Sequence, residues 1–194
     1  MKRKVLLTGR PGCGKTTLVK RVVHELALPA GGFCTEEVRE RGRRVGFKIV
    51  TLEGREAVLA HVDFKTSQRL GKYGLDFSGL ETVGIGALHT ALRARQLMVI
   101  DEIGPMEIRS RIFCDVVSEA LDSSVPILGT ITARSFPFTD TIKNRPDIAL
   151  IEVRSENRER LVSELLRTAH PTAFVSHHRA KPPNHFLQTP RDLA

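Results

Sequence analysis

Gly9-Arg10-Pro11-Gly12-Cys13-Gly14-Lys15-Thr16-Thr17 is the stretch on which the fold turns, because it fits the phosphate-loop pattern G-x-x-x-x-G-K-(S/T) in a matching local context. Before it, Lys4-Val5-Leu6-Leu7-Thr8 reads as a short buried strand. After it, Thr16 to Leu28 reads as a helix, with Leu18, Val22 and Leu26 at helical spacing. Strand, glycine-rich turn and helix start aim backbone N–H groups at one point, which suits phosphate. Glycine at 9, 12 and 14 lets the backbone take positive φ and approach an anion with no Cβ in the way. Lys15 is then placed for the β- and γ-phosphates, and the Thr16 hydroxyl for Mg²⁺. Residues 9–17 therefore predict nucleoside-triphosphate binding; an incidental glycine turn would not account for the flanks.

The chain has 194 residues, which suits one domain with a proper core. Its 41% hydrophobic and 27% charged content is ordinary for a globular protein. No apolar run approaches the ~18 residues of a membrane span, so no membrane association is expected. Met1-Lys2-Arg3-Lys4 runs straight into the first strand and reads as no secretory signal. Cys13, Cys34 and Cys114 are widely spaced and odd in number, which predicts free thiols and a cytoplasmic setting. A net charge of +8 admits a polyanionic partner. With one Tyr and no Trp as stacking platforms, solvated faces and triphosphate attraction explain that charge better than nucleic-acid binding.

Gly31 to Val38 and Arg44 to Leu52 read as a β-hairpin turning at 39–43. Leu80 to Arg95 reads as a helix, and Leu97-Met98-Val99-Ile100 as an apolar strand ending in Asp101-Glu102. Met106 to Leu121 reads as the next helix, opened by Gly104-Pro105. Pro126 to Thr132 and Asp147 to Val153 are two more strands, and Ser155 caps a last helix with an apolar stripe at Leu161, Val162, Leu165 and Leu166. Apolar strands alternating with helices predict a three-layer α/β fold, its sheet mainly parallel and covered on both faces. This domain spans 1–169. Residues 170–194, with four of the seven histidines and no periodicity, read as a flexible basic Pro/His-rich tail. His177, His178 and His185 lack the rigid scaffold a metal site needs.

Binding phosphate is not yet chemistry. Asp101, ending an apolar strand at the sheet edge where ligands of open α/β sheets sit, is the candidate to hold Mg²⁺ with Thr16. Glu102 is the candidate base for an attacking water, with Lys15 stabilising the transferred charge. Glu107 is either a third member of the site or a carboxylate gaining from the dipole at a helix start. Cys13 is either a thiol activated by a helix N-terminus or a small filler residue. Three rivals share the loop. Asp101-Glu102-Ile103-Gly104 fits the D-x-x-G of a GTPase switch, and Asn144-Arg145-Pro146-Asp147 comes near its N-K-x-D guanine reader. A small-molecule kinase would use the basic segment from Ala133 to Arg145 as a lid, although an ordinary solvated loop explains it as well. A nucleic-acid-associated ATPase would need an oligomerisation element, and none is visible, so a monomer is expected.

Val99-Ile100-Asp101-Glu102-Ile103-Gly104-Pro105-Met106-Glu107 resembles the signature of the small THEP-type nucleoside triphosphatases. Gly32-Phe33-Cys34-Thr35-Glu36-Glu37-Val38-Arg39, Arg44-Val45-Gly46-Phe47, Leu70-Gly71-Lys72-Tyr73-Gly74 and Asn157-Arg158 are similar to that family in the same order. The resemblance covers about residues 4–168. It implies a phosphate-loop fold with RecA-like strand order, in which Pro126 to Thr132 lies between the loop strand and the Asp-Glu strand and puts Thr130 or Thr132 before the γ-phosphate. It also implies slow, Mg²⁺-dependent hydrolysis of several nucleoside triphosphates. Lys72, Tyr73 and Asn157 are candidates to contact the nucleobase by resemblance; apart from it, an arginine that stabilises the leaving charge is expected, with Arg134 and Arg158 as candidates among many. Pro105 departs from the lysine that many members carry.

Overall fold

A computed structural model describes residues 4–168, and the structure below is that of those residues. Along the chain run β1 (Lys4–Thr8), α1 (Lys15–Leu26), β2 (Ala30–Glu40), β3 (Arg43–Thr51), β4 (Glu56–His61), β5 (Arg69–Leu70) and β6 (Tyr73–Leu75). A helical segment follows: α2 (Phe77–Gly79), a π-helical turn (Leu80–Gly84) and α3 (Ile85–Ala94). Then come β7 (Leu97–Ile103), a 3₁₀ turn (Glu107–Arg109), α4 (Arg111–Asp122), β8 (Ile127–Ile131), α5 (Pro137–Lys143), β9 (Ile148–Glu152) and α6 (Arg158–Thr168).

Consecutive residues of a strand face opposite sides of its sheet, so the apolar run of β1 must meet two separate layers. Leu6 packs with Leu88, Phe113, Val117 and Leu121, under α3 and α4. Val5 and Leu7 pack with Leu18, Val22, Leu161 and Val162, under α1 and α6. β7 divides in the same way, Met98 and Ile100 to the first layer, Leu97 and Val99 to the second. The three-layer arrangement thus follows from central strands with unbroken apolar runs that face both sides.

The strands form one sheet in the order β5-β6-β4-β3-β2-β7-β8-β1-β9. The pairings β2–β7, β7–β8, β8–β1 and β1–β9 are parallel; β2–β3, β3–β4, β4–β6 and β6–β5 are antiparallel. A mainly parallel sheet therefore describes only one half of it, and the hairpin β2–β3 belongs to the same sheet rather than standing apart. Short strands hid the other half. With two residues in β5 and three in β6, no alternating pattern can develop. β8 does lie between β1 and β7, as the family resemblance implies.

Three local readings are corrected. The helix expected from Met106 begins at Arg111, because the Ser110 hydroxyl accepts from Phe113 N at 3.2 Å and caps it there. Ser155 does not cap α6: that helix starts at Arg158, and the Ser155 hydroxyl donates to Glu156 Oε1 instead. The basic segment read as a loop contains α5, with Pro137 at its start. The expected tail at 170–194 lies outside the described residues. No helix among the described residues is long and apolar enough to cross a membrane.

Phe113 is fully buried, its ring 6.2 Å from that of Phe33. Phe113→Ala should lower unfolding stability by about 3–5 kcal/mol, read as an earlier midpoint in denaturant at unchanged slope.

Candidate active site

The loop between β1 and α1 has the left-handed backbone that its glycines allow. Gly9, Gly12 and Gly14 take φ of 143°, 78° and 94°. Gly14 is the left-handed residue on which α1 begins, and Lys15 follows as its first, buried residue. Lys15 Nζ donates to the carbonyls of Gly9 at 3.3 Å and Arg10 at 3.5 Å, so the ammonium lies inside the curl of the loop. A methyl group on Gly14 would come within 2.9 Å of Arg158 Nη1; the guanidinium of Arg158, from the start of α6, lies directly against the loop. Arg134, just beyond β8, sets its guanidinium 5.5 Å from the centre of the Phe136 ring. Cys13 packs at the edge of the layer formed by α1 and α6, its sulfur against Gly9, as a filler does.

Asp101 and Glu102 lie within β7, which continues to Ile103, and the peptide bond joining them is cis. The Asp101 carboxylate is 1% exposed. Its Oδ1 accepts from Thr130 Oγ1, at the end of β8, at 2.5 Å. Its Oδ2 is buried with no hydrogen-bond partner. Burial pushes its pKa up, opposed by the Thr130 and Thr16 hydroxyls and by the positive charge of Lys15 and Lys20. Glu102 is likewise pushed up by burial and, less, by Asp101, with Lys15 acting the other way. The phosphate-loop lysine thus sits within electrostatic reach of both carboxylates.

Glu107 is in the 3₁₀ turn, not on a helix, and is 3% exposed. The dipole of α4 is therefore not what it serves. Thr35 Oγ1, on β2, donates to its Oε1 at 3.3 Å. A methyl group on Gly104 would lie 2.9 Å from Glu107 Oε2 and 3.0 Å from Glu102 Oε1, so glycine at 104 is what leaves room for the two carboxylates on one spot. Burial foremost, then the nearby Glu102, raises Glu107 to about 8. Thr35 is the member of this site that single-residue reading misses, because a threonine in a strand carries no signal of its own.

The other sequence candidates take different places. Tyr73 opens β6 and Lys72 precedes it, six strands from β1 in the sheet order, and Tyr73 belongs to a small cluster against which Met106 packs. There Tyr73 OH accepts from Arg44 Nε at 3.1 Å and its ring meets Phe47 edge-on. Asn157 is beside the loop, but both ends of its amide are engaged: Oδ1 accepts from Arg154 N at 2.8 Å and Nδ2 donates to Glu152 O at 2.9 Å. Thr132 is buried beyond the end of β8, its hydroxyl accepting from Arg134 N at 3.3 Å.

The N-R-P-D segment cannot read a base at this site. Asp147 pairs with Lys4 at 3.1 Å, at the start of β1, whereas the phosphate loop leaves the other end of that strand. Arg145 bonds Asp147 and Asp122 and so closes a structural turn. Within the proposed kinase lid, Lys143 is held by Asp140 and by the Arg134 carbonyl.

The donor set suits Mg²⁺, which takes one or two carboxylates or hydroxyls and fills its remaining positions with water and phosphate oxygens. The unpartnered Asp101 Oδ2, beside the Thr16 hydroxyl, is a buried acceptor of the kind such an ion requires.

A family model described as NTPase matches residues 4–166. The chain is 47% identical over 163 residues to the nucleoside-triphosphatase THEP1 of Thermotoga sp. (strain RQ2), covering 84% of this chain and 93% of that protein. Among solved structures it is similar to the crystal structure of THEP1 from Aquifex aeolicus, with a TM-score of 0.80 and 37% identity, covering 87% of this chain and 99% of that one. It also resembles the solution structure of a human cancer-related nucleoside triphosphatase, with a TM-score of 0.75 and 35% identity over 87% of this chain and 97% of that one.

The raised pKa of Glu107 has a consequence for stability. Between the ordinary carboxylate value of 4.5 and about 8 the folded chain keeps a proton that the unfolded chain has lost. Its contribution is thus complete below 4.5 and is lost as pH rises through about 8. Thermal unfolding without added Mg²⁺ should show stability falling across this window, and Glu107→Gln should flatten the fall.

Proposed function

Because the chain belongs to the NTPase family and is a nucleoside-triphosphatase, we propose that it catalyses slow, Mg²⁺-dependent attack of water on the γ-phosphate, with little preference among bases. The observation that carries this reading is the buried Asp101 carboxylate with one free oxygen, separated from the phosphate-loop strand by β8 alone.

In this mechanism the amides of residues 9–17 and the Lys15 ammonium hold the β- and γ-phosphates. Thr16 and Asp101 would hold Mg²⁺, which neutralises charge on the phosphate oxygens when bound. Glu102 orients a water and accepts its proton as the new O–P bond forms and the bond to the β-phosphate oxygen breaks. Glu107, neutral at pH 7 when its pKa is about 8, leaves a single negative charge on the adjoining pair, so that Glu102 can act as the base. Arg158, lying across Gly14, is the arginine brought to the loop to meet charge developing on the phosphates. Being solvent-exposed, it is screened, which suits slow turnover.

Two substitutions separate binding from chemistry. Lys15→Ala should lose triphosphate binding and phosphate release together. Glu102→Gln should still bind Mg·ATP in calorimetry yet release phosphate about 10²–10⁴-fold more slowly; near-normal release would remove Glu102 from the mechanism.

A further inference from the structure

Beside the phosphate loop is a cleft of about 360 Å³, lined by Arg10 and Cys13 of the loop and by Val153, Arg154 and Glu156 of the β9–α6 connection. It continues into a second hollow of about 770 Å³, which shares Glu152, Arg154 and Glu156 and reaches Asn157 and Arg160. Both volumes fall in the ~300–1,000 Å³ range of small-molecule sites. We infer that the first cleft holds the nucleoside half of the substrate, gripping the face of any base rather than reading its edge. This rests on the phosphate-loop reading above and adds the subsite it leaves open.

The chemistry of the lining supports face recognition. Each side of the cleft brings a guanidinium, Arg10 from the loop and Arg154 from the connection. Arg154 is fixed by Glu152 Oε2 at 2.6 Å, and Arg10 lies near enough to the same carboxylate to lower its pKa. A planar cation held in place is a stacking surface for every base, because every base has a π-face. The Ser155 hydroxyl and the Asn157 amide, the neutral groups that could read a base edge, are engaged within the wall. Ser155 donates to Glu156 Oε1 at 2.8 Å, and the Asn157 amide is closed on Glu152 O and Arg154 N. Asn157 is then a positioning residue: it shapes the wall without touching the base.

The test compares substrates that have a nucleoside with inorganic tripolyphosphate, which has none. KM for ATP, GTP, CTP and UTP is measured alongside the inhibition constant of tripolyphosphate, in the wild type, Arg154→Ala and Asn157→Ala. Arg154→Ala should raise all four KM values by about tenfold and by similar factors, the size of one lost stacking contact, and leave the tripolyphosphate constant unmoved. Asn157→Ala should raise them in parallel too. A change confined to one or two bases would overturn face recognition and make the cleft an edge reader. Unchanged KM values with hydrolysis intact would overturn the subsite and leave the hydrolytic reading standing. Failure of tripolyphosphate to compete with ATP in the wild type would overturn both. Arg154 is exposed on the surface, so its replacement tests the idea even if the Asn157 variant does not fold.

Discussion

A carboxylate held in the middle of an apolar sheet is the constraint around which this structure is organised. Leaving Asp101 charged and buried is costly unless opposite charge and hydrogen bonds converge on it. Thr130 from β8, Thr16 and Lys15 from α1, and the charge of Lys20 all do so. These groups come from elements far apart in the sequence, and only the placement of β8 between β1 and β7 brings them to one point. The second Asp101 carboxyl oxygen is left without a hydrogen-bond partner, as is the buried Thr8 hydroxyl at the end of β1.

The two halves of the sheet divide the work. The parallel half, β2-β7-β8-β1-β9, aligns the C-terminal ends of its strands, so that the phosphate loop, the acid pair and the β9–α6 connection open on the same edge. β2 belongs to both halves: Cys34 stands in register with Asp101, and the next residue, Thr35, reaches Glu107. Gly104 then lets Glu102 and Glu107 share one position, and that crowding helps keep Glu107 protonated at neutral pH.

What was legible in the sequence is what depends on local pattern. The loop, both strands that carry catalytic candidates and the layering could be read from glycine spacing and unbroken apolar runs. The strand placement came from resemblance and proved right; periodicity carries no information on lateral order. In the wing from β4 to β6, a bulge buries Leu59 and Ala60 of β4 in succession and breaks its alternation, and β5 and β6 are too short to alternate. The start of α4 was misplaced because Pro105 is a strong local signal, whereas the Ser110 cap depends on which turn tightens. Lys72 and Tyr73 are candidates by resemblance alone, and the sheet order sets β6 six strands from β1. The N-R-P-D segment misleads because nothing in its letters says which end of β9 it occupies.

In the proposed mechanism the phosphate loop and the Asp101 strand would hold a single Mg²⁺ between them and the triphosphate. Calorimetric titration of a non-hydrolysable triphosphate, with and without Mg²⁺, measures this directly in the wild type and in Asp101→Asn. The account predicts that Mg²⁺ tightens binding in the wild type, and that Asp101→Asn loses this gain while keeping the weaker Mg²⁺-free binding through the loop. An equal gain from Mg²⁺ in both proteins would contradict it.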